Sequence, residues 1–150
     1  MAVVLPLLAH VFGAPVRYIL PMHWPVLLAG ITYGWRSGAV TGMLAPLVSY
    51  VLSGFPQPDV LPSMTLELLT YGSLAGILRE KRFNPFLAIA AAAVAGRIVF
   101  IAAALFTYTT VTDHAAYFQA ALVPGLIAGA GQVALLPFLA KWWIGQEQRK

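Results

Sequence analysis

The sequence predicts an all-α membrane protein, a six-transmembrane-helix bundle with both termini cytoplasmic. Three observations predict it. The 150 residues are 60% hydrophobic and only 9% charged, whereas a soluble domain carries about 25% charged residues. Turn-forming breaks cut the chain into six apolar segments. The basic residues then gather at alternate breaks, as the positive-inside rule requires.

The breaks fall at 13–21, 34–37, 54–62, 79–85 and 107–115, and leave segments at 1–12, 23–33, 38–53, 63–78, 86–106 and 116–143. They read as one membrane domain over 1–150. A straight crossing needs roughly 20 apolar residues. Segment one is too short for that, and Met1 falls where a full span is half complete, so it reads either as a truncated helix or as an early choice of start codon. It lacks a basic flank and a small-residue cleavage site, so it does not read as a removable signal peptide. Segment two rises only about 18 Å at 1.5 Å per residue. Its outer end must begin below the lipid surface, covered by protein or water. Segments three and four suffice if their flanks contribute. Segments five and six span unaided.

Charge fixes the orientation. With the N-terminus inside, Arg36, Arg79, Lys81, Arg82, Lys141, Arg149 and Lys150 are cytoplasmic, which is seven of the nine basic residues. Arg17, Asp59 and Asp113 fall in outer loops, and Arg97 lies within a span. Trp35, Trp142 and Trp143 sit at the inner interface as aromatic anchors. The net charge of +4 forms no surface stripe, so it argues for membrane orientation and against nucleic acid. Lipid is the expected environment.

Small residues supply the packing signal. Gly30, Gly34, Gly38 and Gly42 recur every four residues, Gly72 and Gly76 repeat the spacing on segment four, and Gly125 and Gly129 on segment six. Segment five carries Ala88, Ala90, Ala91, Ala92, Ala93, Ala95 and Gly96. Such spacing lets helix backbones approach closely in lipid. The same smooth surfaces also suit sliding against a partner subunit. Pro15, Pro21 and Pro25 bracket the first outer loop, and Pro56, Pro58 and Pro62 the second. Tyr18, Ile19, Leu20, Met22 and Trp24 make the first loop apolar enough to fold back over the helices, as the lid of a small-molecule pocket does.

Glu67 and Arg97 are the most informative residues. A charge at bilayer depth costs a few kcal/mol even on insertion scales, so it is kept with a partner or a use. Glu67 lies about one turn inside the outer end of segment four, and Arg97 about three turns from the inner start of segment five. The opposed chain directions bring them to similar depth. One reading is an ion pair locking two helices. The other is that Arg97 presents its planar fork to an acceptor on a solute, with Glu67 orienting it or accepting a solute donor. The two readings coexist, because arginine has five donors.

Tyr71 follows Glu67 by one turn and shares its face. His23 opens segment two beside Trp24, as a helix-start residue or a solute contact near neutral pH. Trp24 and Tyr71 either stack on a flat ring or fill the core. Gln119 and Gln132 are uncharged polar residues on segment six, and either can face a pocket. His10 and His114 read as structural or solvated. Three scattered histidines and no cysteine give no metal spacing. The serines lack a base and orienting acid at a recognisable spacing, and no glycine-rich phosphate loop follows a strand. The chain therefore reads as a non-enzyme without cofactor, and any ATP is handled by other chains.

Several runs, taken together, resemble one family. They are LPMHWPVLLAG at 20–30, YGWRSG at 33–38, then Gly42, Ala45-Pro46, Gly54-Phe55-Pro56, Met64 with Glu67, Tyr71 and Gly72, and Ala95-Gly96-Arg97. Their order and spacing resemble the substrate-binding S components of energy-coupling factor (ECF-type) vitamin transporters, over nearly the whole chain. The resemblance implies a six-helix protein of a bacterial or archaeal cytoplasmic membrane. Such a protein captures a small-molecule micronutrient from outside and docks on a transmembrane coupling subunit driven by two cytoplasmic ATPases. It also implies a solute site in the outer half, matching Met22, His23, Trp24, Glu67, Tyr71 and Arg97 here. The chain departs from the family at helix one. An Ala-x-x-x-Ala docking surface is usual there, but Ala2 and Ala9 lie seven apart. Arg97 points towards an acidic vitamin such as pantothenate, nicotinate or lipoate, with riboflavin and other ring compounds open. The rival readings are a membrane scaffold subunit and a self-sufficient ion-coupled carrier.

Overall fold

The computed structural model describes the backbone of residues 22–107 and 114–147, and the side chains of 22–106 and 125–145. Segment one, with Ala2, Ala9 and His10, lies outside the described residues. So do Arg17, Asp113 and the side chains of His114 and Gln119. Five helices make up the described residues: α1 His23–Tyr33, α2 Trp35–Ser53, α3 Leu61–Glu80, α4 Pro85–Thr107 and α5 His114–Glu147.

Gly34 alone separates α1 from α2. Its φ of 89° is open to glycine, and its N–H closes α1 on the Gly30 carbonyl at 3.0 Å. The break expected at 34–37 is therefore one residue long. Trp35, Arg36 and Ser37 look like a polar turn in sequence, yet they form the first turn of α2. A residue distant in the chain caps that turn: Oε1 of Glu80 accepts the orphan Trp35 N–H at 3.0 Å. A carboxylate at a helix N-terminus also complements the positive end of its dipole.

The other ends have local causes. Gly54, at φ 74°, caps α2 in the left-handed conformation, with its N–H on the Tyr50 carbonyl at 2.8 Å. Pro62 stands in the first turn of α3, where a missing N–H is harmless. At the far end of α3, Phe83 N–H reaches the Leu78 carbonyl and Arg82 N–H the Arg79 carbonyl, both at 3.0 Å. This paired pattern is a Schellman close, with Arg82 in the position glycine prefers, at φ 62°. Asn84 caps α4 by accepting Phe86 N–H on Oδ1 at 2.9 Å, ahead of Pro85. The helices run beyond the expected segments: α3 extends 63–78 to 61–80, α4 extends 86–106 by one residue at each end, and α5 extends 116–143 to 114–147.

Helix α3 is the centre, packed on α1, α2 and α4, while α5 packs on α1 and α4. Backbones touch where α1, α2 and α3 meet. A Cβ on Gly30 or Gly38 would strike the backbone of Gly72, one on Gly42 the backbone of Leu68, and one on Gly76 the backbone of Trp35. Across α2 the usual distribution of size is inverted. Gly38, Gly42, Ala45, Pro46 and Ser49 are buried, while Val40, Leu44, Leu47, Val51 and Leu52 are exposed. In water such an apolar face would be an association hazard. In lipid it costs nothing, and association rests on close contact between small residues. Two stretches, Pro85–Phe106 and Gly125–Gly145, are long and apolar enough to cross a membrane by length and composition, at mean hydropathy 2.3 and 1.3.

Candidate functional site

A polar cluster lies inside this apolar bundle, assembled from three helices. Glu67 on α3 is its hub and is only 2% exposed. Tyr71, one turn later on the same face, donates its hydroxyl hydrogen to Oε1 of Glu67 at 2.9 Å. Nη2 of Arg97, on α4, stands 3.2 Å from that same oxygen. His23, the first residue of α1, brings Nε2 to 3.7 Å from the other oxygen, Oε2. That distance is too long for a hydrogen bond. The His23 and Tyr71 rings meet edge to face at 5.2 Å between centroids.

Glycines make room for the two largest members. A Cβ on Gly96 would overlap the Tyr71 ring, so α4 lies flat against it. On the α5 side, a Cβ on Gly125 would come within 2.5 Å of Arg97 Nη2 and 2.8 Å of its Cζ. The guanidinium is thus held between Glu67 and the bare backbone of α5. Phe100, one turn further along α4, places its ring centroid 5.4 Å from Cζ of Arg97, within reach of a cation–π contact.

Electrostatically the cluster is closed on itself. One guanidinium and one carboxylate neutralise each other, and Tyr71 adds a donor to the carboxylate. Arg97 is 15% exposed and keeps donors that Glu67 does not use, because one carboxylate cannot engage all five. Such a cluster can hold a polar molecule through spare donors without burying a new charge. Among the described residues, no group of three or more His, Asp or Glu side chains is placed to hold a metal ion.

Of the residues singled out from sequence, the fold brings Glu67, Arg97, His23 and Tyr71 together. Met22 and Trp24 flank His23 instead: Met22 is in the buried apolar core and Trp24 packs half-buried against it. Tyr71 is itself buried, with its hydroxyl already engaged. Of the two glutamines, Gln132 is buried on α5, 1% exposed. Sequence reasoning treated Gly96 and Gly125 as general packing signals and did not pair them with Tyr71 and Arg97. Phe100 carried no signal in the sequence at all.

A family model describing the substrate-specific component of ECF transporters matches residues 1–144. No curated protein and no solved structure matches the chain.

Proposed function

The chain belongs to the substrate-specific components of ECF transporters, a family of transporter subunits and not of enzymes, and from that membership we propose that it captures a vitamin or related micronutrient at the buried Glu67 cluster. The family implies a cell-membrane protein with a small-molecule substrate and membrane-embedded partner modules. The finer reading adds one membrane domain of six helices, crossing the cytoplasmic membrane of a bacterium or archaeon several times with both termini inside. Its partners are a transmembrane coupling subunit and two cytoplasmic ATPases, which supply the energy.

One observation carries the site: Arg97 and Glu67, 3.2 Å apart, sit with His23 and Tyr71 in a bundle whose other buried side chains are nearly all apolar. Keeping four polar side chains there costs more than an apolar filling would. A structural lock needs Arg97 and Glu67. It does not need His23, whose two ring nitrogens are buried and find no hydrogen-bond partner among the described residues. A solute would complete them. The reading puts solute entry at the end of the bundle where α1 begins, beside the segment 54–60 that joins α2 to α3. Binding then favours the closed form by as much as the solute contacts that form better.

Mass spectrometry of the small molecules released from the purified, membrane-extracted protein tests this reading. A defined micronutrient in the wild type, absent from Glu67→Gln/Arg97→Met that still folds, is the expected result. A double variant that retains its full complement of solute, or a wild type that neither carries nor takes up any, would favour a scaffold. Uptake into vesicles with no ATPase present would favour a self-sufficient carrier.

A further inference from the structure

The two oxygens of Glu67 are used unequally. Oε1 meets the Tyr71 hydroxyl at 2.9 Å and Arg97 Nη2 at 3.2 Å. Oε2 faces His23 Nε2 at 3.7 Å, beyond hydrogen-bond range. His23 is 1% exposed, and neither of its ring nitrogens has a hydrogen-bond partner among the described residues. The ring thus stands within about 1 Å of a bond to a carboxylate and does not make it. A proton on the ring would draw the two together, because a hydrogen bond between an ionised donor and an ionised acceptor is roughly twice as strong as a neutral one.

The groups that face the ring are Glu67 and Tyr71 of α3 and, through the shared carboxylate, Arg97 of α4. Other charged side chains on the helices packed against α1 are Arg36, Arg79, Glu80 and Lys141. They lie near the opposite end of α1, where Glu80 caps Trp35 and Trp143 bonds Tyr33. Tyr50 of α2 and Asp59, ahead of α3, are exposed. Within the cluster, Arg97 is the accessible member, 15% exposed against 2% for Glu67. Its unused donors are what a solute can reach.

Charge decides what the idle ring is for. While His23 is neutral, Glu67 and Arg97 balance each other. A solute carboxylate brought to Arg97 would leave one negative charge uncompensated in a buried site, which is strongly unfavourable. One proton removes the excess. Resting on the proposed solute site, we infer that the site takes an anionic solute together with one proton from solvent, held by His23. The imidazolium donates through Nε2 to Oε2 of Glu67 and becomes its counter-charge. The Arg97 guanidinium is then free to pair with the solute carboxylate, so two matched pairs replace one. Neither ligand is well held alone. His23 opens α1, where a positive charge opposes the helix dipole. A proton there without the solute would also leave an Nδ1–H buried with no acceptor among the described residues. Solute and proton therefore each raise the affinity for the other, by the same factor.

The test uses the full chain in lipid nanodiscs, with three acids and their neutral counterparts: nicotinate and nicotinamide, pantothenate and panthenol, lipoate and lipoamide. Titration calorimetry in phosphate and in Tris counts the protons taken up, because the two buffers ionise with different enthalpies. An acid that binds should do so with uptake approaching one proton. Its affinity should fall at least about tenfold from pH 6.5 to pH 8.5, a range in which the acids themselves stay ionised. Its neutral counterpart should bind more weakly at pH 6.5 and with no uptake. His23→Gln should abolish both the uptake and the pH dependence. Nitrogen-15 histidine labelling of His10→Gln/His114→Gln leaves one ring to observe, and adding the acid should move it from imidazole to imidazolium frequencies. That measurement holds even if His23→Gln does not fold. Three results overturn the inference and leave the solute site standing: acid binding without proton uptake, uptake that persists in His23→Gln, and a neutral member that binds more tightly than its acid at pH 6.5. If none of the six binds, the molecule released on heat denaturation is titrated in their place, and one that carries no negative charge overturns the inference as well. A wild type that binds none and releases nothing removes the solute site itself, and the inference goes with it.

Discussion

Tyr71 and Arg97 converge on a single oxygen: Oε1 of Glu67 accepts the Tyr71 hydroxyl at 2.9 Å and faces Arg97 Nη2 at 3.2 Å. One donor comes from the glutamate's own helix and one from the neighbouring helix. The carboxylate is therefore held from two directions, and Oε2 is left towards His23 at 3.7 Å. The energetics of the cluster follow from that division.

Tyr71→Phe isolates the intrahelical arm. It keeps the ring against Gly96 and His23 and deletes the hydroxyl. A hydrogen bond to a charged group contributes about 1.5–3 kcal/mol. Reversible denaturation in detergent should show a loss in that range for Tyr71→Phe. Tyr71→Ala should lose more, about 3–5 kcal/mol, because an aromatic core side chain goes too. A Tyr71→Phe variant as stable as the wild type would mean that the hydroxyl contributes nothing.

The interhelical arm calls for a cycle of variants. Removing one partner of a buried pair strands the other and costs about 3–5 kcal/mol. Glu67→Gln and Arg97→Met should each destabilise by about that amount, whereas the double variant should recover a good part of it, since it strands no charge. Additive losses would contradict pairing. Solute binding should follow a different pattern and be lost in all three.

Much of this was legible in the sequence because lipid makes charge conspicuous. Glu67 and Arg97 stand out in apolar runs, and opposed chain directions put them at one depth. Glycines spaced four apart announced the contact of α1, α2 and α3, since only small residues let helices meet along their backbones. The rest depended on contacts distant in the chain. Trp35, Arg36 and Ser37 follow a glycine and carry a charge and a hydroxyl, so they read as a turn. The cap that satisfies the first of their N–H groups is Glu80, 45 residues away. The pairing of Gly125 with Arg97 needs the rotation of α5, which its sequence does not specify because apolar residues surround that helix. Gln132 could not be chosen over Gln119 for the same reason.

The glycine contacts differ in kind, and substitutions should separate them. Gly38 and Gly72 meet backbone to backbone, where nothing flexible can yield, while a Cβ on Gly129 or Gly131 meets nothing within 4 Å among the described residues. Gly72→Ala and Gly38→Ala should destabilise by about 1–3 kcal/mol or more. Gly129→Ala should be neutral or stabilise by up to about 1 kcal/mol through helix propensity. Monodispersity and thermal midpoint after extraction report both, and a tolerated Gly72→Ala would refute the backbone contact.

The C-terminal end of α3 offers a gain in stability. Arg82 holds the left-handed position of a Schellman close at φ 62°, a conformation that costs a side-chain-bearing residue about 1–2 kcal/mol. Arg82→Gly should relieve part of that cost and leave the thermal midpoint unchanged or higher. Arg82→Val should lower it, because a branched side chain fits that conformation worst. The order Gly, Arg, Val in decreasing stability is the result to look for. A fall with glycine as large as that with valine would show that the arginine side chain itself contributes the stability.

Gly125 separates folding from recognition. The three atoms nearest a Cβ there all belong to the end of the Arg97 side chain, with Nη2 at 2.5 Å, Cζ at 2.8 Å and Nε at 3.3 Å. A long side chain can swing away where a backbone cannot, so the protein should still fold. The guanidinium would leave its position beside Glu67 and carry its spare donors with it. Gly125→Ala should therefore shift the thermal midpoint little and weaken solute binding about tenfold, or about 1.4 kcal/mol. Gly125→Leu, which fills the space the guanidinium occupies, should abolish binding. Titration of the released solute back onto each purified variant measures the effect. Undiminished affinity in Gly125→Leu would remove Arg97 from the recognition of solute and leave it as the tie between α3 and α4.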